Sequence, residues 1–275
     1  MEQLALQSSD GTSLTAYRWP SAATRTGDVL VVHGYAEHIG RYGHVAERLT
    51  AAGYQVTGLD LRGHGNSDGR RGHVKAWSDY VADVRAAQAA IGGPHTILAH
   101  SMGGLVVLDA LLEDASQVTE AMLVAPLLRP LVEVPGWKRL AARLLSKVAP
   151  AVSLPSDIDP QLLSHDPSVI DAYKSDPMVF GTATARWYRE MIRAGERVRH
   201  HAADFTLPLF IAWGADDRIV DPLALSEFCA RYGGPIEAFT PHGYYHEVLN
   251  EPGFEAVDRM LGWLEDRRGN GAADS

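Results

Sequence analysis

Several things are scarce in this sequence, and each scarcity excludes something. One cysteine, Cys229, stands among 275 residues, so no intrachain disulfide can form, which fits a reducing compartment or no redox constraint at all. Positive charge is in deficit. The 25 Lys and Arg face 34 Asp and Glu, a net charge of −9, which speaks against binding nucleic acid through its phosphates. No window approaches the roughly 18 apolar residues of a membrane span. The opening MEQLALQSSDGTSL has no basic stretch leading into an apolar one. A soluble, cytoplasmic protein is therefore expected, still able to touch a membrane surface. Walker and dinucleotide glycine patterns are missing, and HEVLN (246–250) lacks the second histidine of a zinc-binding H-E-x-x-H. The expectation is no cofactor and no metal.

Apolar residues are plentiful, at 46%, enough for a large core. Short apolar runs recur at DVLVVHG (28–34), YQVTGLD (54–60), HTILAHS (95–101), EAMLVAP (120–126), LPLFIAWG (207–214) and PIEAFT (235–240). Their continuity suits strands buried on both faces. With SLTAYRW (13–19) and LALQ near the start, eight strands are predicted. Helical patterns fall between them at 41–52, 76–91, 102–113, 222–232 and 253–267. Strand alternating with helix predicts a mostly parallel sheet covered on both faces, with ligands at the carboxyl ends of its strands. Residues 127–203 break the rhythm: helical patterns punctuated by seven prolines from Pro130 to Pro177, and no strand-like run. So long an insertion reads as a helical cap on a core made of 1–126 and 204–275. The polar, glycine-rich tail after Trp263 is expected to fray.

AHSMGG (99–104) lies between a predicted strand and a predicted helix. A serine on such a turn, with small residues two before and two after it, matches the nucleophile elbow, although Ala99 stands where glycine is usual. The added methyl group is a small perturbation if Ala99 keeps a negative φ. The plainer reading of Ser101 is a helix N-cap. Context decides between them. WGADDRIVDP (213–222) places acids directly after a strand, and GYYHEVLNEP (243–252) places His246 in the loop before the last helix. The order Ser, Asp, His is that of α/β-hydrolases. Asp216, Asp217 and Asp221 all lie near, and Asp221 before Pro222 reads as a helix N-cap. Acyl transfer also needs backbone N–H groups aimed at the developing oxyanion. Met102, at the start of the helix, and Tyr35, in HGYAEH (33–38), are the candidates.

These segments resemble the α/β-hydrolases, and within them the monoacylglycerol lipase and lysophospholipase group. The resemblance spans nearly the whole chain, through HGYAEHIGRY, GLDLRGHGNSDGRRGHV, AHSMGG, PSDIDP, ARWYREM, GADDRIVDP and YYHEVLNE. It implies an eight-stranded α/β-hydrolase fold with a helical cap after strand 6. It also implies Ser101 as nucleophile, Asp217 as the acid (Asp216 second), His246 as base, and the Tyr35 and Met102 amides as oxyanion donors. The expected reaction splits a monoacylglycerol into glycerol and fatty acid through an acyl-enzyme. Alternatives are a broader carboxylesterase or lysophospholipase, and a non-catalytic receptor on the same fold. A peptidase would use the same triad, but no amine-binding acidic cluster stands out.

Glu37 and Arg41, spaced i,i+4 beside the presumed oxyanion loop, read first as an ion pair fixing that loop and second as glycerol contacts; an exposed pair would contribute only a few tenths of a kcal/mol. In GWKRLAARLLSKVAP (136–150), Trp137, Leu140, Leu144 and Val148 share one helical face, while Lys138, Arg139, Arg143 and Lys147 fall mainly on the other. That pattern suits either packing on the core or docking on an anionic lipid surface.

Overall fold

The computed structural model describes residues 1–131, 151–156 and 158–271. Each predicted run is a strand: β1 (Glu2–Gln7), β2 (Ser13–Trp19), β3 (Gly27–Val32), β4 (Tyr54–Leu59), β5 (His95–His100) and β6 (Val118–Val124). After a separate pair, β7 (Ser153–Pro155) and β8 (Thr182–Thr184), come β9 (Leu209–Ala212) and β10 (Ile236–Phe239). One eight-stranded sheet has the order β1-β2-β4-β3-β5-β6-β9-β10. Strand β2 is antiparallel to both neighbours, and every other pairing in this sheet is parallel.

The apolar runs are continuous because alternate side chains enter different cores. Leu30, Val32, Ile97 and Ala99 face one side, against α2 (Trp77–Ile91) and α3 (Met102–Glu113). Val29, Val31 and Leu98 face the other, against α1 (Gly43–Ala51) and, near the C-terminus, the helix over Glu255–Gly271. Between β6 and β9 lie α4 (Pro167–Ser175) and α5 (Ala185–His200). The apolar positions Trp187, Met191, Ala194 and Val198 of α5 are buried in the same core as α3. Helix α6 (Pro222–Cys229) and the last helix, α7 (Glu255–Gly271), complete the fold.

Two expectations are corrected. The insertion does contain strands: β7 and β8 pair antiparallel, Ser153 opposite Thr184, in a sheet of their own. The tail does not fray directly after Trp263, because α7 continues to Gly271. Arg267 donates to Glu120 on β6 at 2.6 Å and lies over the Trp263 ring, and Arg268 lies over Tyr54. The amphipathic stretch 136–150 lies outside the described residues. Among those described, no helix is long and apolar enough to cross a membrane.

The strand order reverses at β3: the chain passes to β4 on one side, and later to β5 on the other. Ligands bind outside the carboxyl ends of strands at such a switch point. Val32 pairs with Ala99 there, so the loop after β3 and the turn after β5 leave the sheet side by side.

Candidate active site

Ser101 occupies the turn between β5 and α3 with φ +50° and ψ −116°. A positive φ is uncommon for a side-chain-bearing residue and costs on the order of 1–3 kcal/mol, so surrounding structure must hold it. Its N–H donates to Val124 O, and its carbonyl accepts from Leu105 and Leu127. Close packing allows the sharp turn. A β-carbon on Gly103 would overlap the His33 carbonyl and lie 2.7 Å from that of Val32. Ala99 lies on β5, fully buried, and is not among the positive-φ residues, so its methyl group is accommodated. The side chain of Ser101 does not cap α3, which removes the plainer reading.

Its hydroxyl instead meets the imidazole predicted for it. Ser101 Oγ lies 2.9 Å from His246 Nε2, and His246 Nδ1 lies 2.8 Å from Asp217 Oδ2. The other oxygen, Asp217 Oδ1, accepts the N–H groups of Ile219 (2.7 Å) and Val220 (3.0 Å), which fixes the carboxylate. All three residues are buried. Burial disfavours the charged imidazole, yet the Asp217 carboxylate and its hydrogen bond, with Glu247 and Glu37 behind them, raise the pKa of His246 above the ordinary value. The neighbouring aspartates are otherwise engaged. Asp216 is exposed and accepts from Gly243 N; Asp221 caps α6 by accepting from Leu223 N.

The two predicted amide donors belong to segments that meet at this serine. Met102 is the first residue of α3, where N–H groups have no intrahelical acceptor and the helix end carries partial positive charge. Gly34, next to Tyr35, presses on the elbow: a β-carbon there would lie 3.3 Å from Ser101 Cβ. Beneath this loop, His33 Nε2 accepts from Leu61 N at 3.1 Å, so Nδ1 carries the proton donated to Gly34 O at 2.7 Å. Burial lowers the His33 pKa and favours this neutral form.

Glu37 and Arg41 form no surface pair. Glu37 Oε1 accepts from Gly34 N (2.7 Å), Tyr42 Oη (2.8 Å) and His100 Nδ1 (3.2 Å), while Oε2 takes Arg41 at 2.6 Å. Arg41 also grips both oxygens of Glu247 at 2.7 Å. Burial opposes the charge on Glu37, but Arg41 and the His100 hydrogen bond hold its carboxyl well below the usual range. The sequence reading assigns no role to Glu247, although it lies within YHE, nor to His100. A glutamate directly after the predicted base was the available signal. Glu251, also unassigned, is buried and accepts from Tyr245 N (2.8 Å) and His165 N (3.1 Å). Among the described residues, no three His, Cys, Asp or Glu side chains gather as a metal-binding group.

Known proteins share the sequence pattern and the fold of this chain. The family model described as Serine aminopeptidase, S33 matches residues 23–253. A monoacylglycerol lipase of Mycolicibacterium smegmatis is 35% identical over 255 residues, covering 90% of each chain. An uncharacterized abhydrolase domain-containing protein of Dictyostelium discoideum is 32% identical over 98% of this chain, which spans 30% of that protein's length. The crystal structure of Paleococcus ferrophilus monoacylglycerol lipase superposes with a TM-score of 0.85 at 26% identity, covering 91% of this chain and 98% of that one. The chain therefore belongs to the serine aminopeptidase S33 family, as an α/β-hydrolase of the monoacylglycerol lipase kind.

Proposed function

We propose that the protein hydrolyses monoacylglycerols to glycerol and fatty acid through an acyl-enzyme on Ser101. His246 Nε2 takes the Ser101 proton as Oγ attacks the ester carbonyl, and the tetrahedral oxyanion turns toward the Tyr35 and Met102 amides. The intermediate collapses, His246 returns the proton to the departing glycerol oxygen, and the acyl group stays on Oγ. Water then attacks with its proton passing to His246, and the fatty acid leaves. Asp217 holds the imidazole tautomer and stabilises its charged form. Glu37 fixes the oxyanion loop through Gly34 N, with Arg41 and Glu247 behind it.

The observation carrying this reading is the continuous relay from Ser101 Oγ through His246 to Asp217, at 2.9 and 2.8 Å. The monoacylglycerol lipases among its relatives support the substrate class. An aminopeptidase would aim free carboxylates at a substrate ammonium, whereas Glu37 and Glu247 are committed to Arg41. In this reading residues 127–203 act as the cap over a core of 1–126 and 204–275. The 136–150 stretch would bring the cap to a lipid surface.

The test is a substrate panel on wild type and Ser101→Ala: monoacylglycerols, short p-nitrophenyl esters, lysolipids, and di- and triacylglycerols. Monoacylglycerols should turn over fastest, and Ser101→Ala should abolish turnover while remaining folded. Preference for lysolipids or short esters would replace the substrate assignment with lysophospholipase or carboxylesterase. Failure of a fluorophosphonate to label Ser101 in the folded protein would favour a receptor.

A further inference from the structure

The loop that presents the Tyr35 amide is gripped from two sides. On the core side, Glu37 holds Gly34 N. On the other side lies the segment that ends in β8, with three contacts. Tyr35 Oη donates to Thr182 O at 2.5 Å, Phe180 N donates to Ala36 O at 3.2 Å, and His38 meets Asp176 Oδ2 at 2.8 Å. His38 Nδ1 accepts from Gly40 N, so Nε2 carries the proton given to Asp176. The Tyr35 ring packs on Trp187, 4.1 Å between centroids, and meets Phe180 edge-on at 5.6 Å.

Such a grip has something to hold. Ala36 sits at φ +63°, a conformation that alanine adopts only when its surroundings impose it. A third loop closes the junction. Thr184 N donates to Gly72 O. A β-carbon on Gly72, itself at φ +65°, would overlap Thr182 O and lie 3.0 Å from Tyr35 Oη. Glycine there leaves room for the phenol and the β8 carbonyl to meet.

We propose that Tyr35 is a positioning residue whose hydroxyl makes β8 a structural member of the oxyanion site. The side chain does not touch reacting atoms. It ties the backbone that bears the oxyanion donor to the capping insertion, so a displacement of β8 is felt at the Tyr35 amide. The inference rests on the reading of Tyr35 N–H as an oxyanion donor. It assigns to the phenol a function separate from that of the amide on the same residue.

Tyr35→Phe keeps the ring on Trp187 and Phe180 and removes only the bond to Thr182 O. A typical hydrogen bond biases a local equilibrium by about fivefold, against the roughly 10²–10³-fold effect of losing an oxyanion donor outright. Tyr35→Phe should therefore lower kcat by about fivefold on a soluble ester and leave KM within about twofold. The affinity of a trifluoromethyl ketone, whose adduct on Ser101 carries an oxyanion, should weaken by the same factor as kcat. Gly72→Ala pushes β8 away from the phenol. It should reproduce the defect, and the double variant should be no worse than the worse single one. A Tyr35→Phe enzyme with unchanged kcat and ketone affinity would overturn the proposal, as would a change confined to KM or additive effects in the double variant. Loss of turnover in Ser101→Ala, measured alongside, keeps the hydrolase reading standing in any of those cases.

Discussion

Arg41 neutralises more than one carboxylate, and the consequence can be worked through. Its guanidinium bonds Glu37 Oε2 and both oxygens of Glu247, with side-chain exposures of 11% for the arginine and 4% for each glutamate. Replacing Arg41 with Met keeps much of the volume and leaves two buried carboxylates facing a thioether. Removing one partner of a buried pair costs about 3–5 kcal/mol. Glu37→Gln is milder: Arg41 keeps both bonds to Glu247, one charge-assisted bond is lost, and about 1–3 kcal/mol goes with it. At 2–4 °C per kcal/mol for a chain of about this size, Arg41→Met should melt roughly 6–20 °C below wild type at pH 7, and Glu37→Gln should fall clearly less.

The pH dependence gives the sharper test. In the wild type, the Glu37 pKa lies below its unfolded value of about 4.3. Its contribution to stability is present above that pH and is lost as pH falls through the folded value. Without Arg41, burial pushes the Glu37 carboxyl above 4.3, and the sign reverses: the variant is penalised at high pH and relieved as that group protonates. The difference in melting temperature between wild type and Arg41→Met, followed by calorimetry, should therefore narrow from pH 7 to pH 5. A difference that stays constant or widens, or an Arg41→Met protein no less stable than Glu37→Gln, would refute the assignment of Arg41 as the shared counter-charge.

Further outcomes follow from the same geometry. The relay needs a neutral His246, whose pKa is raised; kcat/KM should fall on the acid side with an inflection above the ordinary histidine value of about 6.5, and an inflection below it would contradict the coupling to Asp217. Asp217→Asn should lower kcat on the order of 10⁴-fold, and the His246 ring, followed by NMR, should titrate at lower pH than in wild type. Gly103→Ala places a methyl group against the His33 and Val32 carbonyls and should cost about 1–3 kcal/mol in denaturant unfolding; an unchanged midpoint would mean that the elbow is looser than it looks.

Which of these features could be read from the sequence depended on how far apart their partners lie along the chain. The strands were legible because a parallel sheet covered on both faces makes each one a continuous apolar run, and their carboxyl ends then located Ser101, Asp217 and His246. The choice of Asp217 over Asp216 came from family pattern; what distinguishes them physically is orientation, one carboxylate fixed by Ile219 and Val220 amides toward His246 and the other turned to Gly243. Strands β7 and β8 were not legible, since three residues carry no periodicity and Ser153–Pro155 is wholly exposed. Glu247 was hidden for a different reason. Within YYHEVLNE it reads as an ordinary polar loop residue, and only folding brings it to Arg41, 206 positions earlier in the chain. Glu251 likewise meets His165 across 86 positions. The same holds for Tyr35 and Thr182, separated by 147 positions. A triad reveals itself in sequence because each member sits at the end of its own strand. Each group that sets its precision becomes recognisable only beside a partner that no local pattern announces.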